Sequence, residues 1–235
     1  MNSSWQVDLF NRLNDSTNMQ DVLDSALKTT RNFGFEFCGW RSKLPTPLSQ
    51  RRFSVMNSNE DRLTQERENG YYDDAPAVRH CATSNDPFFW NGTTEDEAFL
   101  KAPALFEEYY STGHFAGWAQ SVVENRNMFS MFYVDSKFRM TTEDIQHVDL
   151  KLQWVATAVL CKMYQIRLQP DIQLSEREKE VLRWSGDGKT ASEISQILKL
   201  SSSTINFHMR SAMFKLSAPN KTAAVINAIY LGLLN

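Results

Sequence analysis

The chain has 235 residues, enough for one large or two ordinary domains, with AVILMFWYC at 42% and DEKR at 23%; these proportions exclude a disordered tail, a coiled-coil rod and a collagen-like fibre. The formal charge of −3 is unevenly spread: residues 1–170 hold 17 Lys and Arg against 22 Asp and Glu, and residues 171–235 hold 8 against 6, which points to an acidic larger domain and a mildly basic smaller one suited to nucleic acid. No apolar run approaches the ~18 residues of a bilayer span, and Met1-Asn2-Ser3-Ser4-Trp5 has neither the basic nor the apolar region of a signal peptide, so a cytoplasmic protein is expected.

In chain order, Thr17-Asn18-Met19-Gln20 fits a helix-capping box, Val22, Leu23, Ala26, Leu27 and Thr30 recur at helical spacing, and Gly34 marks the stop. Strand-like pieces follow at 35–40, 52–56, 117–123 and 128–134, the last two joined by the turn-like Glu124-Asn125-Arg126-Asn127 as a hairpin. Thr141-Thr142-Glu143-Asp144 opens a long helix with Ile145, Val148, Leu152, Val155, Val159 and Met163 on one stripe. Helices flanking a small antiparallel sheet make residues 1–165 an α-β-α sandwich, an architecture that houses a ligand cavity or a dimer face. Cys38, Cys81 and Cys161 are odd in number and far apart, which excludes a disulfide framework and a CxxC metal site and leaves buried thiols.

Residues 166–173 contain Pro170 and no helical periodicity, and read as a linker. After it, Ser175-Glu176-Arg177-Glu178 is a capping box whose helix carries Val181, Leu182 and Ser185 on one face and breaks at Gly186-Asp187-Gly188. Thr190-Ala191-Ser192-Glu193 starts a second, short helix with Ile194, Ile197 and Leu198 inward, Lys199-Leu200-Ser201 turns, and Ser202 or Ser203 caps a third with Ile205, Met209, Ala212 and Leu216 buried. A fourth, from Lys221 to Leu231, packs Val225, Ala228 and Ile229 and stops at Gly232. The whole is an α+β chain whose residues 174–235 form a four-helix unit containing a helix-turn-helix.

With that apolar stripe inward, Ser203, Thr204, Asn206, Phe207 and Arg210 face a major groove. Arg210 has two donors for a guanine edge and Asn206 suits an adenine. Lys189, Lys215 and Lys221 lie at the rim, placed for phosphates, and Thr190 at a helix start offers an amide to another.

These residues resemble the DNA-binding domain of the LuxR family of bacterial regulators, through Leu174-Ser175-Glu176-Arg177-Glu178-Lys179-Glu180-Val181-Leu182, Trp184 with Gly188-Lys189-Thr190, Glu193-Ile194, Thr204-Ile205-Asn206-Phe207-His208 and Lys215-Leu216. Asn206 and Phe214 stand where the family often has basic residues, so weaker nonspecific DNA affinity is expected. In the front domain, family members that sense acyl-homoserine lactones carry a Trp, a Tyr four residues on, Asp-Pro nine after the Tyr, and a Trp fifteen beyond the Asp. Pro76, Trp90 and a further family glycine at Gly117 fit, leaving Trp90 as the ligand-binding candidate, but Arg62, Glu66 and Ala75 replace the Trp, Tyr and Asp, with Asp74 one residue off. In the family the Asp takes the ligand amide N–H while the Trp and Tyr contact the carbonyls, so the resemblance implies that lactone sensing is lost.

The segment 60–69 is polar all round, and such a helix is expected on the surface, with Arg62 and Glu66 pairing in water for ~0.3 kcal/mol. Phe88, Phe89 and Trp90 read more readily as core than as a ligand cage. His80, His114, His147 and His208 are dispersed, and no GxSxG, Walker loop or GxGxxG occurs, so neither an enzyme nor a cofactor or metal site is expected. The reading is a regulator that binds a palindromic double-stranded operator as a homodimer, with helix 141–165 as the candidate dimer face. It is active without lactone. The alternatives are gating by a different small molecule, or heterodimerisation with lactone-sensing relatives as an antagonist.

Overall fold

Alternation of apolar residues along 129–134 needs one neighbour on each face of the strand, and the computed structural model supplies both. It describes residues 4–68, 70–125 and 128–234. In chain order the elements are α1 (Trp5–Asp15), α2 (Met19–Thr30), β1 (Phe37–Lys43), β2 (Phe53–Asn57), α3 (Glu60–Glu68), α4 (Pro76–Cys81), β3 (Phe88–Trp90), α5 (Glu97–Lys101), α6 (Pro103–Ser111), β4 (Gly117–Asn125), β5 (Met128–Asp135), α7 (Thr142–Arg167), α8 (Glu176–Gly186), α9 (Ala191–Leu198), α10 (Ser202–Lys215) and α11 (Lys221–Tyr230). The chain divides into two units, Met1–Leu44 with Phe53–Tyr164, and Pro45–Arg52 with Gln165–Asn235.

The first unit is an antiparallel sheet in the order β2-β1-β5-β4-β3 with helices on both faces. On one face Phe129, Met131 and Tyr133 of β5 and Ala119 of β4 join Val78, Leu105, Phe106 and Tyr109 in a continuous core. On the other, Trp118 donates its indole N–H to Asp149 of α7 at 2.7 Å, and the Cys38 thiol reaches the Leu23 carbonyl of α2 at 3.5 Å. Two glycines admit large side chains. A Cβ on Gly39 would lie 2.2 Å from Tyr133 Cζ, its partner across β1 and β5, and a Cβ on Gly117 would lie 2.2 Å from Trp90 Cζ2, its partner across β3 and β4.

Several expectations are corrected. The cap of α2 is Asn18, which accepts from the Asp21 amide, while Asp21 in turn takes the Thr17 N–H at 3.0 Å; Asp21, not Gln20, is the acid at the reciprocal position. Phe88–Trp90 is a fifth strand, too short for its alternation to be legible. Of that triplet Phe89 is 41% exposed, because successive strand residues face opposite sides. Helix α7 continues through Arg167 into the stretch read as linker, since nothing in Gln165-Ile166-Arg167 breaks a helix until Pro170. Cys38 and Cys81 are buried, but Cys161 is exposed on α7. The hairpin turn at Arg126-Asn127 and Asn69 of the polar segment lie outside the described residues.

The second unit follows local chemistry closely. Ser175 with Glu178 and Thr190 with Glu193 both complete reciprocal capping boxes, each contributing ~1 kcal/mol. Lys199 closes α9 in the left-handed region at φ 54°, and Ser201, rather than Ser202 or Ser203, caps α10 by accepting from the Thr204 amide at 3.1 Å. Val181, Leu182, Ile194, Ile205, Met209, Ala212, Leu216 and Ala228 form one core, where each large side chain stabilises by about 1.5–3 kcal/mol. Ile197 and Ile229, expected inward, are exposed. Small Ala223, Ala224 and Ala228 form the inner face of α11 instead, which turns Ile229 outward.

Candidate DNA-reading face and ligand cavity

Burial of Ile205, Met209 and Ala212 fixes the rotation of α10, so Ser203, Asn206, Phe207 and Arg210 are exposed together and Thr204 is half-buried with its hydroxyl 2.8 Å from Ser201 Oγ. Phe207 is 62% exposed, with its ring 5.6 Å from that of His208, and Phe214 is 87% exposed. Lys189 and Lys221 are exposed at the starts of α9 and α11. Two of the expected phosphate contacts are differently engaged. The Thr190 amide donates to Glu193 at 2.8 Å, because that bond is half of the capping box. The Lys215 ammonium donates to Glu178 at 2.8 Å and to the Gln173 carbonyl at 3.0 Å, because its helix packs beside α8. Burial works to raise the Glu178 pKa, but hydrogen bonds from Lys215, Ser211 and the Ser175 amide outweigh it and hold the carboxyl at about 2.

In the first unit, α3 lies at the surface as expected, with Glu60, Asp61, Thr64, Arg67 and Glu68 exposed, but its inner face is buried and carries charge. Arg62 and Glu66 are buried, one turn apart, and form a 3.0 Å ion pair; Arg41, arriving from β1, meets Glu66 at 3.2 Å and Asp73 at 2.6 Å. Tyr133 Oη lies 3.0 Å from each Glu66 oxygen and Asn57 donates to Glu66 at 3.4 Å. The Arg62 guanidinium carbon stands 3.5 Å from the Tyr109 ring centroid and 4.7 Å from that of Tyr72, desolvated contacts of about 2 kcal/mol. Burial disfavours the Arg62 cation, yet Tyr109 and Glu66 outweigh it and raise its pKa above the ordinary value. Burial also pushes the Tyr72 and Tyr109 phenols up to about 12. A charged inner face is tolerated because both Arg62 and Glu66 meet an opposite charge or a ring from another element. That is why its own pattern shows nothing.

Arg41, Arg62, Glu66, Tyr72, Tyr109 and Tyr133 line a cavity of about 30 Å³, walled on its apolar side by Ala75, Val78, Trp90, Leu105, Phe106 and Met131. Ala75 is buried and opens α4 without a side-chain cap, whereas Asp74 is exposed and 3.7 Å from Arg79. Trp90 is buried at the cavity wall. Arg41, Tyr133 and Asp135 of this site escape sequence reasoning, although a buried-strand pattern interrupted by Arg41 was a usable signal. Among the described residues no group of three or more His, Cys, Asp and Glu is placed to hold a metal ion, and no helix is long and apolar enough to cross a membrane.

Residues 172–228 match the luxR family of bacterial regulatory proteins, and residues 18–163 match the autoinducer binding domain. The chain is 30% identical to the transcriptional activator protein AnoR of Acinetobacter nosocomialis across 98% of this chain and 99% of that one. It is 26% identical to the HTH-type quorum-sensing regulator RhlR of Pseudomonas aeruginosa across 94% and 92%. The crystal structure of Escherichia coli SdiA superposes with a TM-score of 0.72 at 22% identity, covering 98% of each chain. An autoinducer-binding fold in one unit and a helix-turn-helix in the other define a DNA-binding transcription regulator rather than an enzyme. The chain belongs to the luxR family of bacterial regulatory proteins.

Proposed function

We propose that this protein is a sequence-specific regulator that acts as a cytoplasmic homodimer on a two-fold symmetric operator and does not require an acyl-homoserine lactone. One observation carries the lactone independence. The positions that would read the lactone head group hold the buried Arg62–Glu66 pair and Ala75, so the family's amide acceptor is gone and two aromatic walls have become charges, Glu66 bound to Arg41 and Tyr133 and Arg62 to Glu66 and the Tyr109 ring. A lactone entering there would have to break a buried ion pair, at several kcal/mol. Two recognition helices about 34 Å apart supply operator affinity that one helix lacks, with Arg210, Asn206, Ser203 and Phe207 at the base edges and Lys189, Thr190, Thr204, Lys215 and Lys221 around the backbone. The outer side of α7, with Leu150 and Tyr164 exposed, is the proposed dimer face.

The test is a thermal melt with and without N-octanoyl homoserine lactone, beside operator capture from genomic DNA without lactone. A ligand at 100 times its Kd adds ~2.7 kcal/mol, so an unchanged melting temperature and selective capture are expected. A saturable upward shift, or DNA binding only with lactone, overturns the reading. A second reading, gating by a different small molecule, is favoured by the unpartnered polar atoms that face the cavity.

A further inference from the structure

The outermost line of α10 carries two phenylalanines. Ile205, Met209 and Ala212 are buried, and 3.6 residues per turn set Phe207 and Phe214 almost opposite them, with Ser203 and Arg210 beside Phe207 on the exposed face. Phe207 is 62% exposed and its ring stands edge-on to that of His208 at 5.6 Å, while Phe214 is 87% exposed. Arg210 Nε donates to the Asn206 carbonyl at 3.3 Å, which holds the guanidinium on this face. Ser202–Lys215 contains no Asp or Glu, so no charge of this helix repels the phosphates that flank a groove.

We infer that Phe207 reads the C5 methyl group of a thymine, one or two base pairs from the base that Arg210 reads. The inference rests on the operator-reading role proposed for α10 and names what one position of that helix selects. In the major groove guanine, adenine and cytosine present only hydrogen-bond donors and acceptors, and thymine alone adds a methyl group. A phenyl ring can neither donate nor accept, so against a polar edge it displaces water and returns no bond. Against a methyl it forfeits nothing, and both partners bury apolar surface. Three residues advance ~4.5 Å along a helix and base pairs stack about 3.4 Å apart, which sets the spacing from Arg210. Phe214 lies two turns further towards the C-terminal end, ~10.5 Å along the axis, whereas the N-terminal residues of a recognition helix are those that meet base edges. Phe207 is therefore the reader, and Phe214, equally apolar and more exposed, is its control.

The experiment selects binding sites with the full chain from random-sequence DNA duplexes made with thymine and, in parallel, from duplexes made with uracil, which lacks only the methyl. Thymine is expected at one position of each half-site, beside the position whose preference is lost in Arg210→Ala, with no such preference among the uracil duplexes. On the selected site, exchanging that thymine for uracil should weaken binding about three- to fivefold per half-site, the worth of one buried methyl. Phe207→Ala should bind the two forms alike, Phe207→Leu should keep part of the discrimination, and Phe214→Ala should discriminate as the native chain does. Equal binding of thymine and uracil sites by the native chain overturns the inference without recourse to any variant. So does a uracil penalty that survives in Phe207→Ala, as when the methyl acts through DNA shape, or one that Phe214→Ala abolishes equally. Enrichment of no sequence from either library overturns the operator reading and this inference with it, whereas a selective site indifferent to uracil strikes Phe207 alone.

Discussion

Tyr133 on β5 places its phenolic oxygen 3.0 Å from both carboxylate oxygens of Glu66 on α3. Burial raises the Tyr133 pKa well above its ordinary value, so the phenol keeps the proton it donates to Glu66. This contact ties the sheet to the helix that carries Arg62, and its geometry exists because Gly39, opposite Tyr133, has no Cβ to block the ring.

Removing Glu66 leaves the buried Arg62 without its opposite charge and Arg41 with Asp73 alone. Glu66→Ala is expected to cost about 3–5 kcal/mol, the usual penalty for an uncompensated buried charge, read as a lower urea midpoint at unchanged slope. Arg62→Met combined with Glu66→Leu should recover part of that loss, because Arg41 retains Asp73 at 2.6 Å. A double variant no more stable than Glu66→Ala would show that the pair is not the source.

Gly39→Ala puts a methyl 2.2 Å from the Tyr133 ring, and overpacking of this kind costs about 1–3 kcal/mol. The same substitution in a Tyr133→Leu background should cost less, since the clashing atoms are then gone. Equal penalties in both backgrounds would place the strain elsewhere.

Acid should weaken the second unit through Glu178. Its folded pKa of about 2 lies below the ordinary glutamate value, so its contribution is present above pH ~4.5 and is lost as pH falls towards 2. Glu178→Gln should therefore lower stability at pH 7 and flatten its decline between pH 5 and about 2.5, followed by denaturant unfolding at each pH. Lys215→Ala should share the loss at pH 7, because Lys215 holds Glu178 at 2.8 Å. A Lys215→Ala chain of full stability with weakened DNA binding would make the lysine a phosphate contact alone.

On the DNA face, Arg210→Ala is expected to cost ~1–3 kcal/mol on the specific operator and to relax preference at one base pair, while Lys189→Ala should weaken all sequences alike and lower the salt slope by about one. Neither side chain is buried, so both variants should unfold at the wild-type midpoint. Asn206→Lys should tighten nonspecific binding. Binding isotherms across a salt series, on operator and on scrambled DNA, separate these outcomes. Wild-type operator affinity in Arg210→Ala would remove α10 as the reading helix.

The second unit was legible because its determinants are local. Ser175 with Glu178 and Thr190 with Glu193 sit three residues apart and set helix starts by themselves, and the 3.6-residue recurrence of Ile205, Met209 and Ala212 fixes which side of α10 faces out. Where α-helical pattern gave too little, small differences in packing decided, as for Ile197 and Ile229. The sandwich of the first unit was legible from its alternating strands. The burial of Arg62 and Glu66 was not. A lone helix as polar as 60–68 belongs in water, and only the fold delivers Arg41 from 25 residues and Tyr133 from 67 residues away to satisfy Glu66. Short-range hydrogen bonds and periodicity are written in neighbouring residues, whereas compensation of a buried charge depends on partners that chain topology alone brings together.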